Sequence, residues 1–475
     1  MNEEQRKIFA RIFSPRSLAI VGISRTYSGL GGQFLLGNLQ RAGYSRPIYL
    51  INPTEANIGG LSAFPNVTSL PEPVDLAIIC VPAQSVPPIL EECGNKGIQN
   101  IHIQSAGFKE LGTPEGIRLE GEVQQVADRY RLNIIGPNCM GPYAPASRLM
   151  LWGQIPAAPG SLAFLSQSGA LALRMSEHAH FTGMGLSKAV SFGNATVLDS
   201  TDYLEYLAED EETRVIGLYL ESVQDGRRFL ELARQLNRSK PLVIWKRGET
   251  SSVAGAVASQ TGSPSGEDQV WDGALRQAGI TRVQSLEEVA GTAMAFLTLP
   301  PVRGRRVFIL GGGGGNSVYH ADICDRLGLH VPALEGETRE KLNAIIPAVG
   351  SSARNPVDAW RAFHDPLFMA KILELAFVDS SLDLIIVNLL IHRLTYTQPE
   401  DRETSEAVID YLRKNRFRKP LVAIVDGSGE DPFLASEATT LRQRICQAGI
   451  PAYASLPLAA QALASLAAYS ERMAG

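Results

Sequence analysis

The run Ser166-Gln167-Ser168-Gly169-Ala170 lies where an apolar stretch, SLAFL, gives way to a helix-like one. Two hydroxyls and the free amides of a helix start would converge there on the positive end of the helix dipole, which is the chemistry of an anion site. A hydrolase elbow would read G-x-S-x-G, whereas positions 166 and 170 are Ser and Ala, so a nucleophilic serine is the lesser reading. Gly193 and Asn194 end the next apolar stretch and are expected to face the same pocket. Glu221 ends another, and by itself reads as a solvated strand-end acid or a helix-capping partner. Ser259-Gln260-Thr261-Gly262-Ser263-Pro264-Ser265-Gly266, after the Ala-rich AGAVA, reads by itself as a flexible polar loop.

Two glycine-rich segments invite a phosphate. Residues 22–32, GISRTYSGLGG, follow an apolar run and open a helix-like one, and their glycines would let backbone N–H groups approach a diphosphate. The plain alternative is a turn that needs glycine for a positive φ. The spacing is not G-x-G-x-x-G. The second apolar run ends in Asn52-Pro53, where a nicotinamide-binding domain would carry an acid for the ribose, so that cofactor is disfavoured. Residues 311–316, GGGGGN, resemble a phosphate cradle but lack the G-K-S/T ending of a Walker loop. The one close histidine pair, His178 and His180, points to different faces of a helix, so a two-histidine metal site is not expected. Cys80, Cys93, Cys139, Cys324 and Cys446 form no C-x-x-C pair, which fits reduced thiols and argues against structural zinc.

The elements that must position these residues are legible in the pattern. Short apolar runs ending in Gly, Pro or Asn alternate with amphipathic stretches, as in βαβ units around parallel sheets. The first block holds strands within 17–24, 47–53, 74–82, 100–108 and 132–138. The second holds 161–169, 186–194, 214–222 and 240–248; the third holds 306–315, 382–390, 419–427 and 450–456. The passage GQIPAAPG and the pair Pro300-Pro301 separate the blocks, giving expected domains at 8–147, 160–298 and 303–475. In open sheets of this type ligands bind outside the carboxyl ends of the strands, which is where the chemistry-bearing residues fall.

Composition narrows the function classes. Hydrophobic residues make up 45% and charged residues 20%, the formal net charge is -5, and no Lys/Arg-rich stripe offers a footprint for a nucleic acid. The start, MNEEQRKIFARIF, does not read as a signal peptide, and no segment reads as a membrane span, so a cytoplasmic protein is expected.

The ordered motifs SPRSLAIVGIS, INP, VDLAIICVP, QSAGFKE, IIGPNCMG, GSLAFLSQSGAL, SFGN, DYLEYLAEDEET, LYLESVQDG, KPLVIWKRG and SQTGS resemble the CoA-binding and ligase domains of NDP-forming acyl-CoA synthetases, relatives of the succinyl-CoA synthetase α subunit. The third block, with RNPVDAW, is similar to the additional α-subunit domain of ADP-forming acetyl-CoA synthetases. The resemblance covers about residues 12–465 and implies an α/β fold of three consecutive doubly wound, Rossmann- or flavodoxin-like parallel-sheet domains. It also implies that coenzyme A lies along Gly22, Ser24 and Gly29, Asn52, Val81 and Pro82, Ser105, Ala106 and Gly107, and Asn138 and Cys139. A phosphoryl or acyl-phosphate group would meet Ser166, Ser168, Gly169, Gly193 and Asn194.

In active members of that family the phosphoryl group passes to a histidine on a mobile loop and then to ADP in an ATP-grasp domain. The histidine of the S-H-T-G-S loop is here Gln260, whose neutral amide is no phosphoryl nucleophile, while Glu221 matches the glutamate that steadies the phosphohistidine. His178 and His180 lie about two to three turns along the helix after SQSGALA, roughly 13 Å from its anion-binding end at 1.5 Å per residue, too far to take over. No ATP-grasp region is legible, so ATP, ADP and magnesium would enter through a partner subunit. Three readings follow. The chain is the α-like subunit of an acyl-CoA synthetase working with a separate ATP-grasp subunit and without a phosphohistidine, Ser168 and the helix end holding the developing charge. Or it is a CoA- or acyl-CoA-binding regulatory module. Or its loops serve another CoA acyl transfer, with Cys139 as nucleophile. The family's assemblies imply a homo-oligomer, and the sequence does not select the acyl group.

Overall fold

The computed structural model describes residues 1–24, 29–153, 158–247, 268–311, 313–391, 399–427 and 431–474. Runs such as LAIV, LAII and NIHI become strands buried on both faces, as their unbroken apolar character requires. They belong to a first sheet of β1 (Leu18–Val21), β2 (Ile48–Ile51), β3 (Asn57–Ile58), β4 (Leu61–Phe64), β5 (Leu76–Ile79), β6 (Asn100–Ile103) and β7 (Asn133–Ile135), in the order β3-β4-β2-β1-β5-β6-β7. Its helices are α1 (Glu3–Phe13), α2 (Gly32–Arg41), α3 (Val86–Lys96) and α4 (Pro114–Tyr130). The start of α4 is set locally, with the Thr113 side chain accepting the Gly116 N–H and proline at the first helical position. Ala19, Ile79 and Ile101 of the strands pack with Leu90 of α3 and Leu119 and Val123 of α4 into one buried cluster.

The second sheet comprises β8 (Gly141–Ala144), β9 (Leu149–Met150), β10 (Pro159–Ser166), β11 (Leu186–Ser191), β12 (Val215–Leu220), β13 (Leu242–Lys246) and β14 (Thr281–Val283), in the order β14-β13-β12-β10-β11-β8-β9. Three helices of this region are α5 (Gly169–Thr182), α6 (Ser200–Ala208) and α7 (Gly226–Leu236). A third sheet runs β15 (Val307–Leu310), β16 (Leu384–Ile391), β17 (Leu421–Gly427) and β18 (Ala452–Tyr453), all parallel. Every strand expected from the apolar runs is present.

Antiparallel pairs extend the parallel cores of the first two sheets. β3 and β4 form a hairpin through Gly59 and Gly60, whose φ angles of +59° and +84° suit a tight two-residue turn. β8, which directly follows the first block in sequence, pairs antiparallel with β11 of the second sheet, Tyr143 opposite Ala189. The described residues gather into two compact units. Met1–His180 with Gly185–Leu286 carries the first two sheets, and Phe181–Met184 with Glu287–Gly475 carries the third. Among the described residues no helix is long and apolar enough to cross a membrane, and no His/Cys/Asp/Glu group could hold a metal ion.

Candidate functional site

The carboxyl ends of β2, β1, β5, β6 and β7 lie side by side, because these strands are parallel neighbours. Gly22 ends β1 at φ +89°, and a Cβ there would come within 2.6 Å of Val81 Cγ1 and 2.9 Å of the Cys80 carbonyl oxygen. The backbone of this turn therefore presses against the end of β5 with no room for a side chain. Asn52 locks the turn from β2. Its Nδ2 donates to the Ile23 carbonyl at 2.7 Å, and its Oδ1 accepts the N–H groups of Thr54 and Glu55 at 2.8 and 2.9 Å. Gly31 precedes α2 and supplies no side-chain acceptor for the first-turn N–H groups, which suits a diphosphate at that helix end. Residues 25–28 of this loop lie outside the described residues.

The next two turns interlock. Ser105 Oγ donates to the Val81 carbonyl at 2.5 Å, and the Asn138 N–H donates to the Ser105 carbonyl at 2.9 Å. Pro82 and Ala106 stay exposed, while Ser24, Val81, Ser105, Gly107 and Asn138 are half-buried and Gly29 is exposed, so these residues line an accessible edge. Cys139 departs from that pattern. It is buried, its Sγ donates toward the Ile103 carbonyl at 3.6 Å, and burial pushes its thiol far above the ordinary range. Burial thus disfavours the thiolate, which is the reactive form of a cysteine.

At the second sheet, Ser166 closes β10 and α5 begins at Gly169. Ser166 is fully buried, and its hydroxyl serves the turn by donating to the Ser168 carbonyl at 2.7 Å and accepting the Ser168 N–H at 3.1 Å. Its side chain therefore shapes the turn that leads into α5. Ser168 is half-buried with Oγ accepting the Leu171 N–H at 3.4 Å, which leaves its O–H available for donation. Gly169 packs so closely on Met140 that a Cβ would lie 2.9 Å from Met140 Cγ.

Gln167, which the sequence reading passed over, ties β10 to β12. Its Oε1 accepts the N–H groups of Glu221 and Ser222 at 2.6 and 2.9 Å, and its Nε2 donates to Ser222 Oγ at 3.3 Å. Glu221 is buried, its Oε1 accepting from Tyr219 Oη at 3.0 Å, while the buried Lys246 donates from Nζ to the Glu221 carbonyl at 2.8 Å. Burial and the neighbouring Glu221 carboxylate push the Tyr219 phenol upward, so it remains a donor. Glu221 is accordingly an anchored strand-end group rather than a solvated acid. Gln260 and the whole 259–266 loop lie outside the described residues. His178 and His180 stand near the far end of α5, as expected.

The two strand edges meet. Gly193, at φ +50°, packs directly against the carbonyls of Pro137 and Asn138, and the N–H groups of Asn194 and Thr196 donate to the carbonyls of Pro137 and Gly136 at 3.0 and 3.1 Å. Asn194 itself is buried, with its amide directed at Glu110, Glu120 and Asn138. Its side-chain amide is thus engaged by protein groups at both ends. Beside this seam lies a cleft of about 550 Å³ lined by Lys109, Glu120, Gln167, Asn194, Thr196 and Ser222, among others.

In the other unit, Gly311 ends β15 at φ +102°, 2.6 Å from the Asn388 carbonyl for a would-be Cβ, and a helix, Gly313–Arg326, follows. Asn316 stands where a Walker loop would carry its lysine, and the Ser317 hydroxyl that follows donates back to the Gly313 carbonyl at 3.2 Å.

Comparison with known proteins gives this geometry its lineage. Residues 16–144 match the CoA binding domain family, and residues 159–296 match the succinyl-CoA ligase like flavodoxin domain. The α subunit of acetate–CoA ligase [ADP-forming] I from Pyrococcus furiosus is 35% identical over 465 residues, covering 97% of each chain. Acetate–CoA ligase [ADP-forming] I from Archaeoglobus fulgidus is also 35% identical, and there the chain spans 64% of the relative's length. The solved dinucleotide forming acetyl-coenzyme A synthetase 1 from Ca. Korarchaeum cryptofilum, in complex with phosphate and ADP, superimposes with a TM-score of 0.84 at 29% identity, covering 98% of this chain and 97% of that one. Matched along nearly its whole length to a single α subunit, the chain belongs to the family of ADP-forming acetate–CoA ligase α subunits.

Proposed function

We propose that the chain is the CoA-binding α subunit of an ADP-forming acyl-CoA ligase, joining a carboxylic acid to CoA through an acyl phosphate. The observation that carries this reading is the seam between the 137–138 turn and Gly193. It joins the edge suited to CoA and the anion turn of α5 in one unit. When bound, CoA supplies the thiol that takes the acyl group as phosphate leaves. The chain's own groups hold charge and position. The N–H groups of Gly169 and Ala170 at the start of α5 have no intrahelical acceptor, and with the Ser168 hydroxyl they receive the phosphoryl oxygens as negative charge builds. Gln167 and Lys246 keep the ends of β10, β12 and β13 aligned around that point. Gly22 and the open end of α2 offer backbone to the CoA diphosphate.

Adenine nucleotide and magnesium belong, in this reading, to a separate ATP-grasp β subunit in a cytoplasmic complex, with the α subunit in more than one copy and folded as functional blocks at 8–147, 160–298 and 303–475. Because Gln260 has no nucleophilic nitrogen, acyl phosphate reaches CoA without a phosphoryl stop at that position. The test is isolation of the tagged chain from its native cells. A near-stoichiometric ATP-grasp chain should accompany it, and the complex given ATP, CoA and a panel of acids should consume free thiol. No acid-labile phosphoprotein should form on the wild type, whereas Q260H should acquire one. A chain that comes alone, yet is stabilised by CoA, would replace the ligase reading with that of a CoA-binding regulatory module.

A further inference from the structure

Asn194 is surrounded in a way that a ligand-binding amide would not be. A carboxamide has two N–H groups, and both are taken: Nδ2 donates to Glu110 Oε2 at 2.6 Å and to Glu120 Oε2 at 2.9 Å. Only the NH₂ end can face two carboxylates, so the orientation of the amide is fixed, and its Oδ1 accepts from Asn138 Nδ2 at 3.4 Å. Glu110 and Glu120 are themselves buried. Lys109 supplies the compensating charge, its Nζ lying 2.8 Å from Glu120 Oε1 and donating to the Asn194 carbonyl at 3.1 Å. Thr196 Oγ1 donates to Glu120 Oε1 at 2.5 Å.

The other end of this network reaches the CoA edge. Glu110 Oε1 accepts the backbone N–H groups of Gly107 and Phe108 at 2.6 and 3.1 Å, holding a glycine at φ +114°. A continuous path of hydrogen bonds thus runs from the 105–108 loop through Glu110 and Asn194 to the turn after β11. A buried carboxylate without its partners would be costly, so the three side chains are ordered together or not at all.

We infer that Asn194 is a positioning residue: with Glu110, Glu120 and Lys109 it forms a buried clasp that holds the 105–108 loop in the shape that receives CoA, without touching CoA itself. The inference rests on the CoA reading above. An aspartate at this position would set a third carboxylate against two others, so the clasp requires the neutral amide.

The experiment measures CoA affinity by calorimetry on the full chain, together with hydrogen exchange at the Gly107 and Phe108 amides. N194A should weaken CoA binding by about tenfold, the effect of leaving charged buried groups unpaired, and should speed exchange at both amides. E110Q keeps an acceptor for those amides but turns a donor toward Asn194, and should weaken CoA several-fold should N194A fail to fold. The control is N237A, which removes an equally buried amide bonded to Leu242 and Gly279, remote in sequence from the clasp. It should lower stability while leaving CoA affinity and both exchange rates unchanged. Wild-type affinity in a folded N194A and E110Q, or equal weakening in N237A, would overturn the clasp alone. A wild-type chain with no CoA affinity would overturn the CoA reading and the coupling that rests on it.

Discussion

His102 carries no motif, yet its ring joins β6 to the turn beneath the CoA edge, with Nε2 3.2 Å from the Cys139 carbonyl and Gly141 packed against its face. That contact makes Nε2 the protonated nitrogen, and Nδ1 has no partner among the described residues. Burial, against the smaller pull of the Cys139 carbonyl, lowers its pKa from 6.5 to about 4. Between those values the unfolded chain binds a proton that the folded chain refuses. The contribution is fully present above pH 6.5 and is lost as pH falls toward 4, roughly 3 kcal/mol in all. Urea unfolding followed from pH 7 to 4 should show this loss, and H102N should flatten it. None of this was legible in the sequence, where His102 is one of seven scattered histidines. Glu110 and Glu120 were hidden for the same reason. Glu110 closes the QSAGFKE motif and Glu120 lies within α4, and nothing in their spacing ties either to Asn194 until the fold brings them together, whereas Gly22 and Ser168 announced themselves through the turns they occupy.

Strand ends do the positioning, and the tie between them is testable at that level. Gln167 accepts two backbone N–H groups from the start of the turn after β12. Q167L would leave one buried and one half-buried N–H without their acceptor and should cost about 2–4 kcal/mol by denaturant unfolding, at roughly 1–3 kcal/mol for each orphaned group less the gain from burying leucine. A loss under about 0.5 kcal/mol would mean that the ends of β10 and β12 are held by other contacts. The apolar strands that carry these ends were readable because each is a run of Val, Ile and Leu closed by a breaker. β3 and β4 were missed although Gly59-Gly60 is itself a hairpin signal. β8 gave less to read, since Gly141 and Pro142 weigh against a strand and only its pairing with β11 makes it one.

At the scale of the whole molecule, the described residues gather the first two sheets into one compact unit and the third sheet into the other. Differential scanning calorimetry should therefore resolve two transitions. CoA at about 100 times its dissociation constant should stabilise only the one belonging to Met1–His180 with Gly185–Leu286, by roughly 2.7 kcal/mol. A single transition, or a shift of both, would show that the units melt as one. The crossing of β8 and β9 into the second sheet also bears on how this protein can be taken apart. A fragment cut at the Pro- and Ala-rich passage after residue 152 would keep two strands that have lost their neighbour, exposing unpaired backbone and a ready template for aggregation. The complementary fragment would present β11 with a bare flank. Anyone seeking to graft the CoA half onto another enzyme should cut before Gly141, and even there would sever the contact between Gly193 and the 137–138 turn, so the two halves are better moved as a single cassette.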